Sequence, residues 1–263
     1  MRPLRFFSSR NLLIVLLIPM NIVLGQWLQT SGPYGGTISS FATVDTSLFA
    51  GTASAGVFRS TDSGANWDSV NSGLTNLGIQ SLAVSGTNLY VGTRGGVFRS
   101  TDNGTNWTAA NTGLGNTDAT ALAVSGTNLF AGTAGGGVFR STDNGASWDS
   151  VNIGLTDRYI STLAADIFPA EPHDDTLVFA GTQGGHAFRS IDNGESWVDV
   201  SAGLLGTAVG DLEFQGYNVF SATANGVFRM NVYDAAWTQV NVGLTHTFVY
   251  WRAPPRRTRY GGF

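Results

Sequence analysis

Six tryptophans punctuate the chain at Trp27, Trp67, Trp107, Trp148, Trp197 and Trp237, with successive separations of 40, 40, 41, 49 and 40 residues. Around them the sequence restates itself as "GVFRSTDSGANWDSVNSGL" (56–74), "GVFRSTDNGTNWTAANTGL" (96–114) and "GVFRSTDNGASWDSVNIGL" (137–155). "HAFRSIDNGESWVDVSAGL" (186–204) is a looser copy and "GVFRMNVYDAAWTQVNVGL" (226–244) a looser one still. A self-similar period of this length means one supersecondary unit repeated, each too small to bury its own apolar faces and dependent on its neighbours.

Within a unit the pattern has period two. "SLAVSG" (81–86), "LYVGT" (89–93), "GVFRST" (96–101) and "WTAAN" (107–111) alternate apolar with small or polar residues, and Thr87-Asn88, a Gly-Gly pair and "DNGTN" separate them. Four short strands joined by tight turns follow, and no part of the mature chain keeps a helical period. The 35 glycines and the 12% of charged residues suit such a chain. Four strands per roughly 40-residue repeat predict an all-β β-propeller, the competing β-solenoid having shorter repeats. Five full blades are expected at 38–74, 79–114, 119–155, 160–204 and 208–244, with 26–31 an isolated outer strand.

The two ends differ from the repeats. Arg2, Arg5 and Arg10 precede the apolar run Leu12–Ile18, and Val23-Leu24-Gly25 supplies a small residue before Gln26, the order of a signal peptide over 1–25. Export to the cell surface, periplasm or exterior is expected, with no membrane span after cleavage. With no cysteine, the fold must be held by its core rather than by disulfides. The net charge of −4 offers no electrostatic footprint for nucleic acid. After Leu244, "THTFVY" begins in register as a further first strand, but "WRAPPRRTRYGGF" breaks the pattern with prolines and arginines. Residues 245–263 are therefore expected to be an aberrant or truncated tail, with six or more blades in an intact ring; a genuine basic terminus on a five-bladed ring is the alternative.

Four segments, 60–67, 100–107, 141–148 and 190–197, read S-x-D-x-G-x-x-W. They place Asp62, Gly64 and Trp67, then Asp102, Gly104 and Trp107, at one spacing. Asp143, Gly145 and Trp148, and Asp192, Gly194 and Trp197, repeat it. A short carboxylate at a strand-to-strand turn can accept backbone amides of its own turn. The glycine suits a positive φ, and the tryptophan can cover the turn with apolar area. The segment resembles the Asp-box, or bacterial neuraminidase repeat, of sialidases, sortilin-type receptors, xyloglucanases and photosystem-assembly propellers. That resemblance implies a structural box at the blade periphery, opposite the usual binding face. One carboxylate per box is too few for a calcium loop, so no metal or cofactor is expected. Arg59, Arg99, Arg140, Arg189 and Arg229 recur with the blade and are expected to join blades or lie on the surface.

An enzyme of the resembling families would need more. Arginines for a sialidase cluster are scarce outside the repeat positions, and the F-R-I-P motif ahead of the boxes is missing. A xyloglucanase-like glycoside hydrolase needs two carboxylates across a groove; Asp118, Asp157 and Asp211 lie between blades, but nothing couples any two. The insertion "DIFPAEPHDD" (166–175) reads as an exposed loop on the box side whose Glu171, His173, Asp174 and Asp175 make only a weak cation site. A ligand, protein or glycan, is therefore expected on the opposite face. Its distinctive members are Arg94, Asp118, Asp157, Arg158, Tyr159, Gln183, His186, Asp211 and His246. A non-catalytic binding or scaffold module is the leading expectation, a glycoside hydrolase the alternative.

Overall fold

The computed structural model describes residues 32–33, 36–170 and 173–245; the expected signal peptide, Trp27 and the tail after Thr245 lie outside them. Twenty strands form five four-stranded antiparallel sheets, each ordered as its strands follow in sequence. The first sheet holds β1 (Ile38–Val44), β2 (Ser47–Thr52), β3 (Val57–Ser60) and β4 (Asp68–Ser69). The second holds β5 (Ile79–Ser85), β6 (Asn88–Thr93), β7 (Gly96–Ser100) and β8 (Thr108–Ala109). The third holds β9 (Ala119–Ser125), β10 (Asn128–Thr133), β11 (Gly137–Ser141) and β12 (Asp149–Ser150). The fourth holds β13 (Ile160–Ala170), β14 (His173–Thr182), β15 (Ala187–Ser190) and β16 (Val198–Asp199). The fifth holds β17 (Val209–Gln215), β18 (Asn218–Thr223), β19 (Gly226–Asn231) and β20 (Thr238–Gln239). Every sheet is thus one propeller blade, and no described residue is helical.

The described residues fall into two compact units, divided between Ala110 and Asn111. In the first unit β1 packs beside β5; in the second β13 packs between β9 and β17. First strands therefore neighbour first strands. The core lies between blades rather than within them. Phe49, Val57, Ile79, Leu82 and Phe98 fill the first unit's seam. Phe130, Val138, Ile160 and Leu163 fill one seam of the second unit, and Phe179, Val209, Leu212 and Phe228 the other.

One repeated device sets how closely blades stack. A Cβ added at Gly51 would meet Ile79 of the next blade, at Gly132 it would meet Ile160, and at Gly181 Val209. These second-strand positions have ordinary φ, so the glycine is there for room, not for backbone freedom. The β-branched side chain opening each following first strand fills that room, and apolar contact at this distance needs no Cβ on the other side. Small side chains between large ones let two twisted sheets close face to face.

Two local expectations change. The first hairpin of the second blade turns at Gly86-Thr87, not at Thr87-Asn88, because Ser85 pairs with Asn88 and Gly86 takes φ +59°. The insertion is not an irregular loop. β13 and β14 run on as a paired ladder from Ile160↔Thr182 to Ala170↔His173, so the extra residues lengthen a hairpin. Backbone groups that a loop would leave to water are paired instead.

The glycine seat yields a signed expectation. Gly132→Val should overpack the seam with Ile160 and lower stability by about 1–3 kcal/mol, read as a drop in Tm. An unchanged Tm would mean that the seam is loose.

Candidate functional site

The S-x-D-x-G-x-x-W turn is a closed hydrogen-bond unit. Ser60 Oγ donates to Asp62 Oδ1 at 2.8 Å and accepts from the Gly64 amide at 2.8 Å. Asp62 Oδ1 also accepts from the Asn66 amide at 2.9 Å, and Oδ2 from the Asn66 side chain at 2.7 Å. Asp102 is held alike by Ser100 and Asn106. Ser147 and Ser196 replace the asparagine for Asp143 and Asp192. Both carboxylate oxygens are thus engaged inside the turn, which leaves little for a ligand.

The turn needs two successive left-handed residues. Gly64, Gly104, Gly145 and Gly194 have φ between +80° and +90°, and Ser63, Asn103, Asn144 and Asn193 before them have φ between +57° and +60°. Asparagine tolerates that region better than most residues, and its recurrence before the glycine was the available signal for the second position. The hydrogen bonds hold the carboxyls low. The Asn66 amide and side chain bring Asp62 from 3.8 to about 2; Ser147, by hydroxyl and amide, brings Asp143 to about 2. Asn106 lowers Asp102 likewise. At Asp192 partial burial opposes the shift, but Ser190 and Ser196 outweigh it.

The tryptophan does more than cover its own turn. Trp107 donates its indole N–H to the Val70 carbonyl of the preceding blade at 2.8 Å, Trp197 to Val151 at 2.8 Å, and Trp237 to Val200 at 2.8 Å. Only Trp67 among these turns back, to Gly64 of its own box at 3.0 Å. The repeating arginine points the other way. Arg59 donates to the Asn103 carbonyl of the next blade at 3.0 Å, Arg140 to Asn193 at 2.8 Å, and Arg189 to Val232 at 2.7 Å. In these three positions the arginine joins blades.

On the other side of the blades, inter-blade loops bond to the turns between second and third strands. Gly135 and Gly137 donate to the Arg158 carbonyl at 3.0 Å each, Gln183 to the Tyr159 carbonyl at 2.9 Å, and Ala134 to the Asp118 carbonyl at 3.0 Å. Asp118, Asp157, Arg158, Tyr159 and Gln183 therefore share one surface of the second unit. Arg158 is exposed, and the exposed Tyr159 ring lies against Gly135. Arg94 is exposed on the corresponding turn of the first unit. His246 lies outside the described residues, as does Glu171, and so do the side chains of His173, Asp174 and Asp175.

Asp157 has a local duty. Its Oδ1 accepts from the Tyr159 amide at 3.0 Å and its Oδ2 from the Gly184 amide at 3.1 Å. Asn76 and Asn116 do the first of these for Gly78 and Asp118 in the earlier loops, at 3.0 and 2.9 Å. Asp157 is thus a turn-forming Asx residue. Asp211 stands apart on the innermost strand β17, 3.4 Å from the Thr162 hydroxyl of β13. Its side chain keeps an exposed edge, yet the packed strands around it strip hydration, and that desolvation raises its carboxyl above the ordinary value.

His186 is one of a pair of substitutions that the repeat pattern alone does not reveal. Elsewhere a positive-φ glycine (Gly56, Gly137, Gly226) abuts an asparagine (Asn71, Asn152, Asn241) that accepts the next strand's amide. In the fourth blade the glycine is His186 and the asparagine Ser201, which accepts the Ala187 amide at 3.0 Å. Asp199 bridges them, 3.2 Å from His186 Nδ1 and 2.5 Å from Ser201 Oγ. Burial works against the charge on Asp199, but the Ser201 and His186 contacts keep its carboxyl low. Serine and aspartate both face Nδ1, whereas a nucleophilic triad needs the serine on Nε2. The cluster is a capping arrangement of this blade. Among the described residues no three histidine or acidic side chains gather as a metal site, and no helix is long and apolar enough to cross a membrane.

Residues 34–202 match the DUF6242 beta propeller domain. The chain belongs to that family. No curated protein matches it. Among solved structures, an ancestral GH74 enzyme superimposes with a TM-score of 0.64 at 19% identity, covering 82% of this chain and 32% of its own. The GH74 xyloglucanase from Xanthomonas campestris gives 0.61 at 18%, covering 82% and 39%. YCF48 bound to D1 peptide gives 0.55 at 16%, covering 78% and 67%. The chain thus spans only about a third of the GH74 enzymes' length, and at these identities the likeness concerns the fold.

The box carboxyls make stability pH-dependent. Because the folded values of Asp62 and Asp143 lie below the ordinary 3.8, their contribution is complete above about pH 4 and is lost as pH falls towards about 2. Thermal melts of Asp143→Asn should show a lower Tm at neutral pH and a shallower loss between pH 4 and 2. An identical slope would remove Asp143 from the acid transition.

Proposed function

We propose that this DUF6242 propeller is an exported, non-catalytic module of Asp-box type. It binds a protein or glycan on the face made by the inter-blade loops and the turns between second and third strands. The carrying observation is Asp157, the carboxylate best placed on that face: both its oxygens hold backbone amides, while its neighbours Arg158 and Tyr159 are exposed. An amphipathic ring beside a guanidinium is a common anchor pair for peptides and sugars. YCF48, of similar fold, has been solved with D1 peptide, which makes an extended peptide the first ligand class to try. The order of residues 1–25 supports export.

The second reading, a glycoside hydrolase, has one observation in its favour. Asp211 carries the raised carboxyl that a general acid requires, and the fold resembles GH74 enzymes. Against it, Asp118 and Asp157 offer no free partner: Asp157 is engaged by amides, and Asp118 has an interaction of its own.

Screening the protein on glycan and peptide arrays tests both. A ligand of the proposed face should lose about tenfold or more in affinity on Tyr159→Ala or Arg158→Ala, the loss expected for an interface anchor, with Tm unchanged. Turnover of xyloglucan, β-glucan or a sialoside that Asp211→Asn abolishes would replace the binding reading with the hydrolase.

A further inference from the structure

The fourth blade departs from its neighbours at three linked positions on the proposed binding face. Where the first and third blades carry Gly56, Ser69 and Asn71, or Gly137, Ser150 and Asn152, it carries His186, Asp199 and Ser201. The change adds an imidazole beside the turn at 183–185. Its side chain is 46% exposed, and its ring rests on the buried Phe188 at a centroid distance of 6.0 Å.

The hydrogen bonds around that ring decide which of its nitrogens is free. Ser201 Oγ accepts the Ala187 amide at 3.0 Å and gives its one hydrogen to Asp199 Oδ1 at 2.5 Å. Asp199 Oδ2 faces His186 Nδ1 at 3.2 Å. Two acceptors do not meet at that distance without a proton between them, so the network assigns the ring proton to Nδ1. Nε2 is then a bare acceptor. Cδ2, the carbon bonded to it, lies 3.6 Å from the Cβ position of Gly184, which sets the free nitrogen over the turn.

That turn is a low saddle, since Gly184 and Gly185 have no side chains and Gly184 is exposed. On one flank the Gln183 amide meets the carbonyl of Tyr159, which is 56% exposed. On the other the Cβ position of Gly185 lies 2.8 Å from the Gly206 carbonyl carbon, and Leu205 beside it is 59% exposed. The acids here are already engaged: both oxygens of Asp157 accept amides, and those of Asp199 face Ser201 and His186. The ion pairs among the described residues are Arg140–Glu195 and His186–Asp199. The exposed Arg158 guanidinium therefore has no carboxylate of its own, and the open charge is basic.

We propose that this saddle binds an acidic peptide in extended conformation, its carboxylate held by Arg158 and by His186 Nε2, its flanking apolar residues seated on Tyr159 and Leu205. The inference rests on the binding function proposed above and names its ligand. A planar guanidinium takes a carboxylate through two parallel hydrogen bonds. Leucine gives nothing to the hydroxyls of a sugar, which would lose their water against it, so the occupant is a peptide. His186 makes the contact depend on pH. A second proton, taken up at Nε2, turns that nitrogen from an acceptor into a donor to the ligand's carboxylate. The charged groups that face the ring are Asp199 from β16 and Asp157 from the loop before β13.

Fluorescence polarisation tests this with a labelled peptide that sets leucine, glutamate and leucine at alternate positions with serines between, so that all three project from one side of an extended strand. The same peptide with lysine for glutamate is the control. The acidic peptide should bind about tenfold or more tightly than the lysine peptide, lose that margin in Arg158→Glu and weaken severalfold in Leu205→Ser, with Tm unchanged. Its affinity should rise severalfold from about pH 8 to about pH 5.5, where histidine changes charge and glutamate stays ionised. His186→Gln, which cannot change charge, should flatten that rise. Equal binding of the two peptides, an acidic preference that survives Arg158→Glu, or a rise with acid that persists in His186→Gln would each overturn the proposal. A glycan that needs Arg158 and Tyr159, with neither peptide bound, would overturn this inference and leave the binding function standing. Turnover abolished by Asp211→Asn would end both.

Discussion

The rest of the structure depends on the fact that no blade is complete alone. A four-stranded sheet whose fourth strand is two residues long cannot enclose a core, and its aromatic second strand would stand in water without the next sheet. What makes stacking close is a mismatch of sizes: glycine on one sheet, isoleucine or valine on the next. What makes it directional is the traffic of polar groups across the seam, indole N–H backwards and guanidinium forwards. Burial supplies most of the energy, since truncating a buried tryptophan costs about 3–5 kcal/mol against about 1 kcal/mol for one neutral hydrogen bond. The hydrogen bonds set register rather than strength.

The box belongs to this seam. Its aspartate stiffens a turn with two successive left-handed residues, and that turn offers a glycine to the preceding blade's phenylalanine and a carbonyl to its arginine. In the fifth blade Val232 stands in place of the aspartate and is fully buried, yet the Val232 carbonyl still accepts Arg189. Trp237 still reaches Val200. The seam keeps its two reaching groups when the turn's carboxylate is gone, which places the aspartate's duty in the turn and the tryptophan's in the stack.

Because the chemistry repeated from blade to blade is committed to stacking, the proposed binding face rests on residues that vary between blades. Asp157 and His186, both expected on the binding face from the sequence, also have local duties: they stand in place of a turn-forming asparagine and a turn glycine. Arg158 and Tyr159 have no such duty for their side chains, which is why the proposed binding face rests on them. Asp211 differs again: its unusual carboxyl comes from neighbouring strands, not from any motif.

The sequence alone determined the repeat, the strand count and most of the turns, since period-two alternation and Gly/Asn/Asp punctuation are local properties of the chain. The propeller follows from these because a unit too small to bury itself must stack. Only the tertiary structure decided where side chains reach across the seam: that Trp107 serves Val70 and Arg140 serves Asn193, 37 and 53 residues away. It also turned the 166–175 insertion into a longer hairpin, and it raised Asp211 by the desolvation of its carboxyl on β17 beside β13. Contacts between repeats join residues about one period or more apart. No local pattern encodes them, and they exist only once two sheets have met.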